Sequence, residues 1–211
     1  MTDGMAQAAG HDSLLERIGR ALEEEEREGS PHPGVVRGGE RPALGWEDFR
    51  EALEEARGEC EPPLQRGELR RAIARITAAD CPRKEDLGHA HGAAALLERE
   101  PAPADARLLD GLPWMVASGR AAVARTASVV VTSEEAPVRL HLLLPERLLL
   151  LVPARGLFDD LPDLYAALDP GSLAGGYLTL ISGPSKTADI EQTLITGAHG
   201  PRRLVVLPYE E

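Results

Sequence analysis

Cysteine is nearly absent: Cys60 and Cys81 are the only two in 211 residues, with no Cys-x-x-Cys pair and no cluster of His with Cys. A disulfide framework, a structural zinc site and an internally held iron–sulfur cluster are therefore not expected, so no metal and no resident cofactor is assigned. Aromatic residues make up 3% of the chain, and basic side chains (23) are outnumbered by acidic ones (35), a net charge of −12. Such a chain offers neither the positive footprint nor the stacking platforms of a nucleic-acid binder, and it is repelled by anionic membranes. No apolar run is long enough to cross a bilayer, and Met1 to Ala9 lack the basic flank and long apolar core of a signal peptide. Cytoplasmic residence is the expectation.

What is present is unevenly distributed. Residues 1–65 carry 7 basic and 16 acidic side chains, a net of −9, and the remainder is nearly balanced at −3. A helix is expected from Asp12 or Ser13 to about Glu28, with Leu14, Leu15, Ile18 and Leu22 on one face and Glu23 to Glu26 in solvent. The Pro- and Gly-rich stretch from Gly29 to about Pro42 reads as a linker. Trp46 to Ala56 and Gly67 to Ala79 repeat the amphipathic spacing, the second through Leu69, Ile73 and Ile76. This divides the chain into an acidic helical extension, 1–65, and an α/β domain, 66–211.

Residues 82–112 give no firm strand signal. His89-Ala90-His91 invites a metal, but positions two apart do not share a helix face and no third ligand lies nearby, so exposed polar residues are expected. From Leu112 the character changes. Trp114–Ala117, Ala127–Thr132, Val138–Leu144 and Leu148–Val152 are short, apolar and β-prone, and Ser133–Pro137 suits a hairpin between two of them. Leu161–Leu168 reads as a short helix, and Tyr177–Ile181 and Leu204–Leu207 as strands.

Between those last strands lies Gly183-Pro184-Ser185-Lys186-Thr187-Ala188-Asp189-Ile190-Glu191. Ile190, Leu194 and Gly197 have the spacing of one helix face, which predicts strand, turn and helix, and a parallel βαβ unit closing on Leu204–Leu207. Gly183 lets the backbone turn and approach a ligand. Ser185 or Thr187 can cap the helix, its first N–H groups favour an anion, and Lys186 adds a full charge. A phosphate or carboxylate site follows as one reading. The other is a capped turn in which Asp189 and Glu191 answer the helix dipole; either carboxylate could instead act as a general acid or base. His199 fits the far end of that helix better than a partnership with Lys186.

Ile181 to Glu191, followed by Gly197-Ala198-His199-Gly200-Pro201, resembles the C-terminal signature of LUD-domain proteins, a family that includes the C subunit of the lactate-utilisation system. The resemblance extends back through Pro145 and Arg139 to about Trp114. It implies an α/β fold, a three-layer mixed sheet similar to that of phosphosugar isomerases and CoA transferases, here with extra N-terminal helices. It also implies a role beside iron–sulfur partner proteins in oxidising L-lactate to pyruvate. Two positions depart from the family pattern. Ala124-Arg125-Thr126-Ala127 stands where family members show Ala-Glu-Thr-Gly, and Leu148 stands where they carry a His. Arg125 removes a candidate nucleophile or base, and Leu148 removes a candidate proton carrier.

The sequence therefore points to a protein that binds a small anionic or phosphorylated ligand through Gly183, Ser185, Lys186, Thr187, Arg125, Thr126 and Arg139. Asp189 and Glu191 are the catalytic candidates, and binding is a safer expectation than turnover. The alternatives are a stand-alone phosphosugar- or CoA-ester-transforming enzyme, or a scaffold that docks partners through its acidic helices.

Overall fold

The computed structural model describes residues 43–168, 176–188, 194–196 and 200–211. The helix expected at 12–28 and the linker that follows it lie outside them. In chain order the described elements begin with α1 (Trp46–Glu55), β1 (Glu59–Cys60), β2 (Leu64–Gln65), α2 (Leu69–Thr77), β3 (Leu87–His89), α3 (His91–Leu97) and α4 (Ala106–Leu109). Then come β4 (Trp114–Ser118), β5 (Ala121–Val123), β6 (Ser128–Thr132), α5 (Leu140–Leu143), β7 (Arg147–Pro153), β8 (Leu157–Phe158) and α6 (Leu161–Ala167). The last are β9 (Leu178–Ile181), β10 (Lys186–Ala188), β11 (Leu194–Thr196) and β12 (Arg203–Glu210).

The central sheet runs β1-β12-β7-β4-β3, with β2 also on β12, and every pairing in it is parallel. Its strands read as unbroken apolar runs because both faces are covered. Alternate side chains feed two cores. Trp114, Val116, Leu149, Leu151, Val205 and Leu207 meet Leu69, Ile73 and Ile76 of α2 and Ala93 and Leu97 of α3 on one face. Met115, Ala117, Leu148, Leu150, Val152, Leu204 and Val206 meet Phe49 and Leu53 of α1, Leu109 of α4 and Leu142 of α5 on the other. On that second face lies a smaller sheet, β8-β5-β6-β9, whose inner residues Ala122, Val129 and Val131 join the same core. Its outer residues Ala121, Val123 and Val130 pack with Leu164 of α6. The chain is thus an α/β protein, with antiparallel pairs in the smaller sheet (β5 with β6, β6 with β9) and in a separate two-stranded ribbon (β10 with β11).

Three expectations are corrected. Val138–Leu144 is not a strand: His141 N–H donates to the Val138 carbonyl, Leu142 to Arg139 and Leu144 to Leu140, the bonds of a helical turn. Only Val138 in that run is β-branched, and leucine is a strong helix former. Residues 194–196 are not helical either, because β11 pairs antiparallel with β10, Lys186 opposite Thr196. The β-branched Thr187, Ile195 and Thr196 favour that ribbon over a helix. Finally, β9 and β12 are not a parallel pair. β9 lies antiparallel on β6, with Val131 opposite Thr179, whereas β12 sits between β7 and β1.

Candidate functional site

The loop after β9 is fixed before any ligand is considered. Gly183 has φ +94°, a left-handed backbone, and a Cβ there would stand 2.7 Å from the carbonyl oxygen of Ala56 at the end of α1. Only glycine suits both demands. Ser185 N–H donates to the Pro201 carbonyl at 2.8 Å, and a Cβ on Gly200 would come within 3.1 Å of the Ser185 Cβ. The amino ends of β7 and β12 are laced in the same way: Glu146 N–H donates to Leu112, and Arg202 N–H to Glu146.

A cleft of about 260 Å³ opens where these segments meet. Leu148 and Leu204, each second in its strand, form its base, and Leu142 and Leu143 of α5, Ile181 and Pro201 complete the apolar wall. The polar groups at its wall are Arg139, Thr179, Ser182 and Ser185. The ligand position expected beyond the carboxyl end of β9 is therefore occupied by a cleft at the amino ends of the parallel strands β7 and β12. This departs from the usual placement in open parallel sheets, and it follows from β9 belonging to the smaller sheet.

Arg139 is exposed, and its guanidinium lies 5.0 Å from the centre of the Tyr177 ring. The Tyr177 hydroxyl donates to the Ala136 carbonyl, which fixes the ring beneath the cation. Burial, chiefly, holds the Tyr177 phenol above its ordinary pKa. Among the described residues no carboxylate pairs with Arg139, so its charge is available to the cleft. Thr179 projects from β9 in phase with Ile181, and its buried Oγ1 has no hydrogen-bond partner among the described residues. A buried polar atom without a partner is costly. Ser182 ends a hydroxyl chain: its Oγ lies 2.6 Å from Ser128 Oγ, which lies 2.8 Å from Thr126 Oγ1.

Arg139, Gly183 and Ser185, three of the expected binding residues, are thus brought together, and Thr126 reaches the cleft through Ser128 and Ser182. Arg125 is not: its Nε pairs with Asp160 Oδ2 at 2.9 Å, beside α6. Lys186 stands exposed one residue beyond Ser185, at the start of β10. For Thr187 the backbone is described, in β10, and Asp189 and Glu191 lie outside the described residues. Thr179, Ser182, Ser128 and Gly200 were not legible as site residues. Ser182 and Gly200 stand within the signature motif, while nothing in the sequence singled out Thr179 or Ser128.

At Ala127 φ is +47°, a left-handed turn formed without glycine. His89, expected to be exposed, is half-buried, and burial first, then the charge of Arg99, lowers its pKa. Among the described residues no three His, Cys, Asp or Glu side chains group as metal ligands, and no helix is long and apolar enough to cross a membrane.

Comparison with known proteins agrees with this architecture. Residues 107–207 match the family model of the LUD domain. Lactate utilization protein C of Bacillus pumilus is 29% identical over 105 residues, which are 48% of this chain and 44% of that one. An uncharacterised protein of Neisseria meningitidis serogroup B is 79% identical over 28 residues, 13% of this chain and 12% of its own length. The chain thus aligns with less than half the length of these curated relatives. A DUF162 family protein from Deinococcus radiodurans has the same fold, with a TM-score of 0.60 at 16% identity, covering 78% of this chain and 95% of that one. The matched residues 107–207 contain Arg139, the Gly183 loop and the whole wall of the cleft, so the cleft lies within the segment of this chain that is similar to the LUD domain.

Proposed function

We propose that the cleft beside Arg139 binds a small anionic ligand, a carboxylate or a phosphate ester, and that the protein supports oxidation of L-lactate to pyruvate together with iron–sulfur partner proteins. The lactate reading rests on the LUD match and on the name of the Bacillus pumilus relative. The anion reading rests on one observation of this chain. Arg139, without a carboxylate partner among the described residues, faces a cleft whose other polar groups are the hydroxyls of Thr179, Ser182 and Ser185. A guanidinium binds a carboxylate or phosphate in a planar two-point contact, and hydroxyls can complete its shell.

The same wall argues for binding over turnover. Leu148, 1% exposed, closes the base of the cleft where a proton carrier would be needed, and Arg125 is held away by Asp160. Arg139 is the one titratable side chain among the described residues of the wall, and an arginine stays charged at working pH.

Thermal unfolding with phosphate, L-lactate and pyruvate tests the reading. A ligand at about a hundred times its Kd adds about 2.7 kcal/mol, a rise of roughly 5–10 °C in Tm for a domain of this size. Arg139→Ala should abolish most of that rise, and equal protection of variant and wild type would reject the site. The partner reading is tested by reconstitution: L-lactate-dependent reduction of the iron–sulfur proteins should be faster with this protein present, and an unchanged rate would reject it.

A further inference from the structure

A second cleft, of about 530 Å³, lies between α2, the edge strand β3 and the end of α3. Its floor is apolar, formed by Ile73 of α2, Leu87 of β3 and Leu97 of α3. Its rim is basic: Arg70, Arg83, Lys84 and Arg99 line it against a single carboxylate, Glu100. Two of those cations are engaged already. Arg70 donates to the Leu97 carbonyl and to Glu98, and Arg83 is paired with Asp86. Lys84 and Arg99 have no ion pair among the described residues, and the charge of Arg99 reaches far enough into the cleft to contribute to lowering the pKa of His89.

This concentration of positive charge stands in a chain whose net charge is −12. It is set over an apolar floor large enough for a nucleotide-sized molecule, since ligand cavities commonly span about 300–1,000 Å³. All of its lining residues precede residue 107, where the match to the LUD domain begins. The cleft therefore lies outside the segment that matches the LUD domain.

We propose that this cleft is a second ligand site that takes a phosphate-bearing molecule with an apolar or aromatic body. The body lies on Ile73, Leu87 and Leu97, and the phosphate is met by Lys84 and Arg99. Two cations without an ion pair among the described residues suit a dianion better than a monocarboxylate, which one arginine can satisfy. The site is independent of the cleft beside Arg139 and does not rest on the lactate reading.

The test is calorimetric titration of the full chain with phenyl phosphate and ADP, alongside inorganic phosphate and adenosine, which each carry one half of the chemistry. At least one of the two amphiphilic phosphates should bind saturably and at least about tenfold more tightly than either half, and more weakly as salt rises. Lys84→Glu with Arg99→Glu, both at exposed positions, should weaken that binding at least about tenfold. Ala74→Trp, which fills the cleft from the exposed side of α2, should do the same, with the melting temperature confirming that each variant folds. Arg139→Ala should leave the affinity unchanged. Absence of saturable binding, equal affinity for inorganic phosphate, or binding lost in Arg139→Ala but kept in Lys84→Glu/Arg99→Glu would each overturn the proposal.

Discussion

Gly183→Ala puts the geometry of the loop to its hardest test. At φ +94° an alanine is strained, and such a residue costs roughly 1–3 kcal/mol. Its Cβ would also stand 2.7 Å from the Ala56 carbonyl oxygen and 3.2 Å from the Ala56 Cβ, so the loop must move away from the end of α1. Because the obstacle is backbone, it cannot rotate aside. The two effects together should cost roughly 2–4 kcal/mol, a fall in Tm of roughly 4–16 °C for a domain of this size. Gly111→Ala is the control, since φ there is +75° but nothing lies within 4 Å of the new Cβ. It should cost only the backbone term, roughly 1–3 kcal/mol. Urea denaturation of both variants gives the comparison, and the difference isolates the contact with Ala56. Equal losses would refute the claim that α1 buttresses this wall of the cleft.

Other outcomes follow from single contacts. Ser128→Ala removes the buried hydroxyl between Thr126 and Ser182 and should lower stability by about 1 kcal/mol; an unchanged urea midpoint would show that the chain contributes nothing. Burial, first, pushes the Cys60 thiol up to about 12 and the Cys81 thiol up to about 11. Both should react with a disulfide reagent at pH 8 at least about a hundredfold more slowly in the native protein than in urea, and equal rates would contradict that burial. The Arg83 guanidinium beside Asp86 holds its carboxyl below the usual range. The folded state therefore binds that proton less readily than the unfolded chain, so the stabilisation is full above the ordinary carboxylate range and is lost as pH falls through the lowered folded value. Asp86→Asn should flatten the acid limb of the stability profile below about pH 4, and an unchanged limb would place the acid sensitivity elsewhere.

Much of the architecture was legible because burial on both faces leaves a plain signature. Trp114–Ser118, Ser128–Thr132, Arg147–Pro153 and Arg203–Glu210 contain the apolar runs expected as strands, and α1, α2 and α6 follow the helical spacing read for them. Residues 82–112 were opaque for a physical reason. β3 is Leu-Gly-His, and its Gly88 packs closely, since a Cβ there would stand 2.8 Å from the Leu112 side chain and displace it, so packing rather than β-propensity makes the strand. Leu194 was assigned to a helix face because a three-to-four spacing over so few residues also fits a ribbon. Of the site, the stretches around Gly183 and Arg139 could be read from their motif. Their convergence with Thr179, Leu148 and Leu204 could not, because it depends on the crossing of two sheets.

The central claim, that an anion binds at the amino ends of β7 and β12 beside Arg139, is tested most directly by an amide NMR titration of the full chain with phosphate, L-lactate and pyruvate. At least one of them should produce saturable shifts concentrated on Thr179–Ser185 and on Gly200, Leu204 and Leu148, and these should vanish in Arg139→Ala. Shifts that are absent at saturating ligand, that map away from those residues, or that persist in the variant would contradict it.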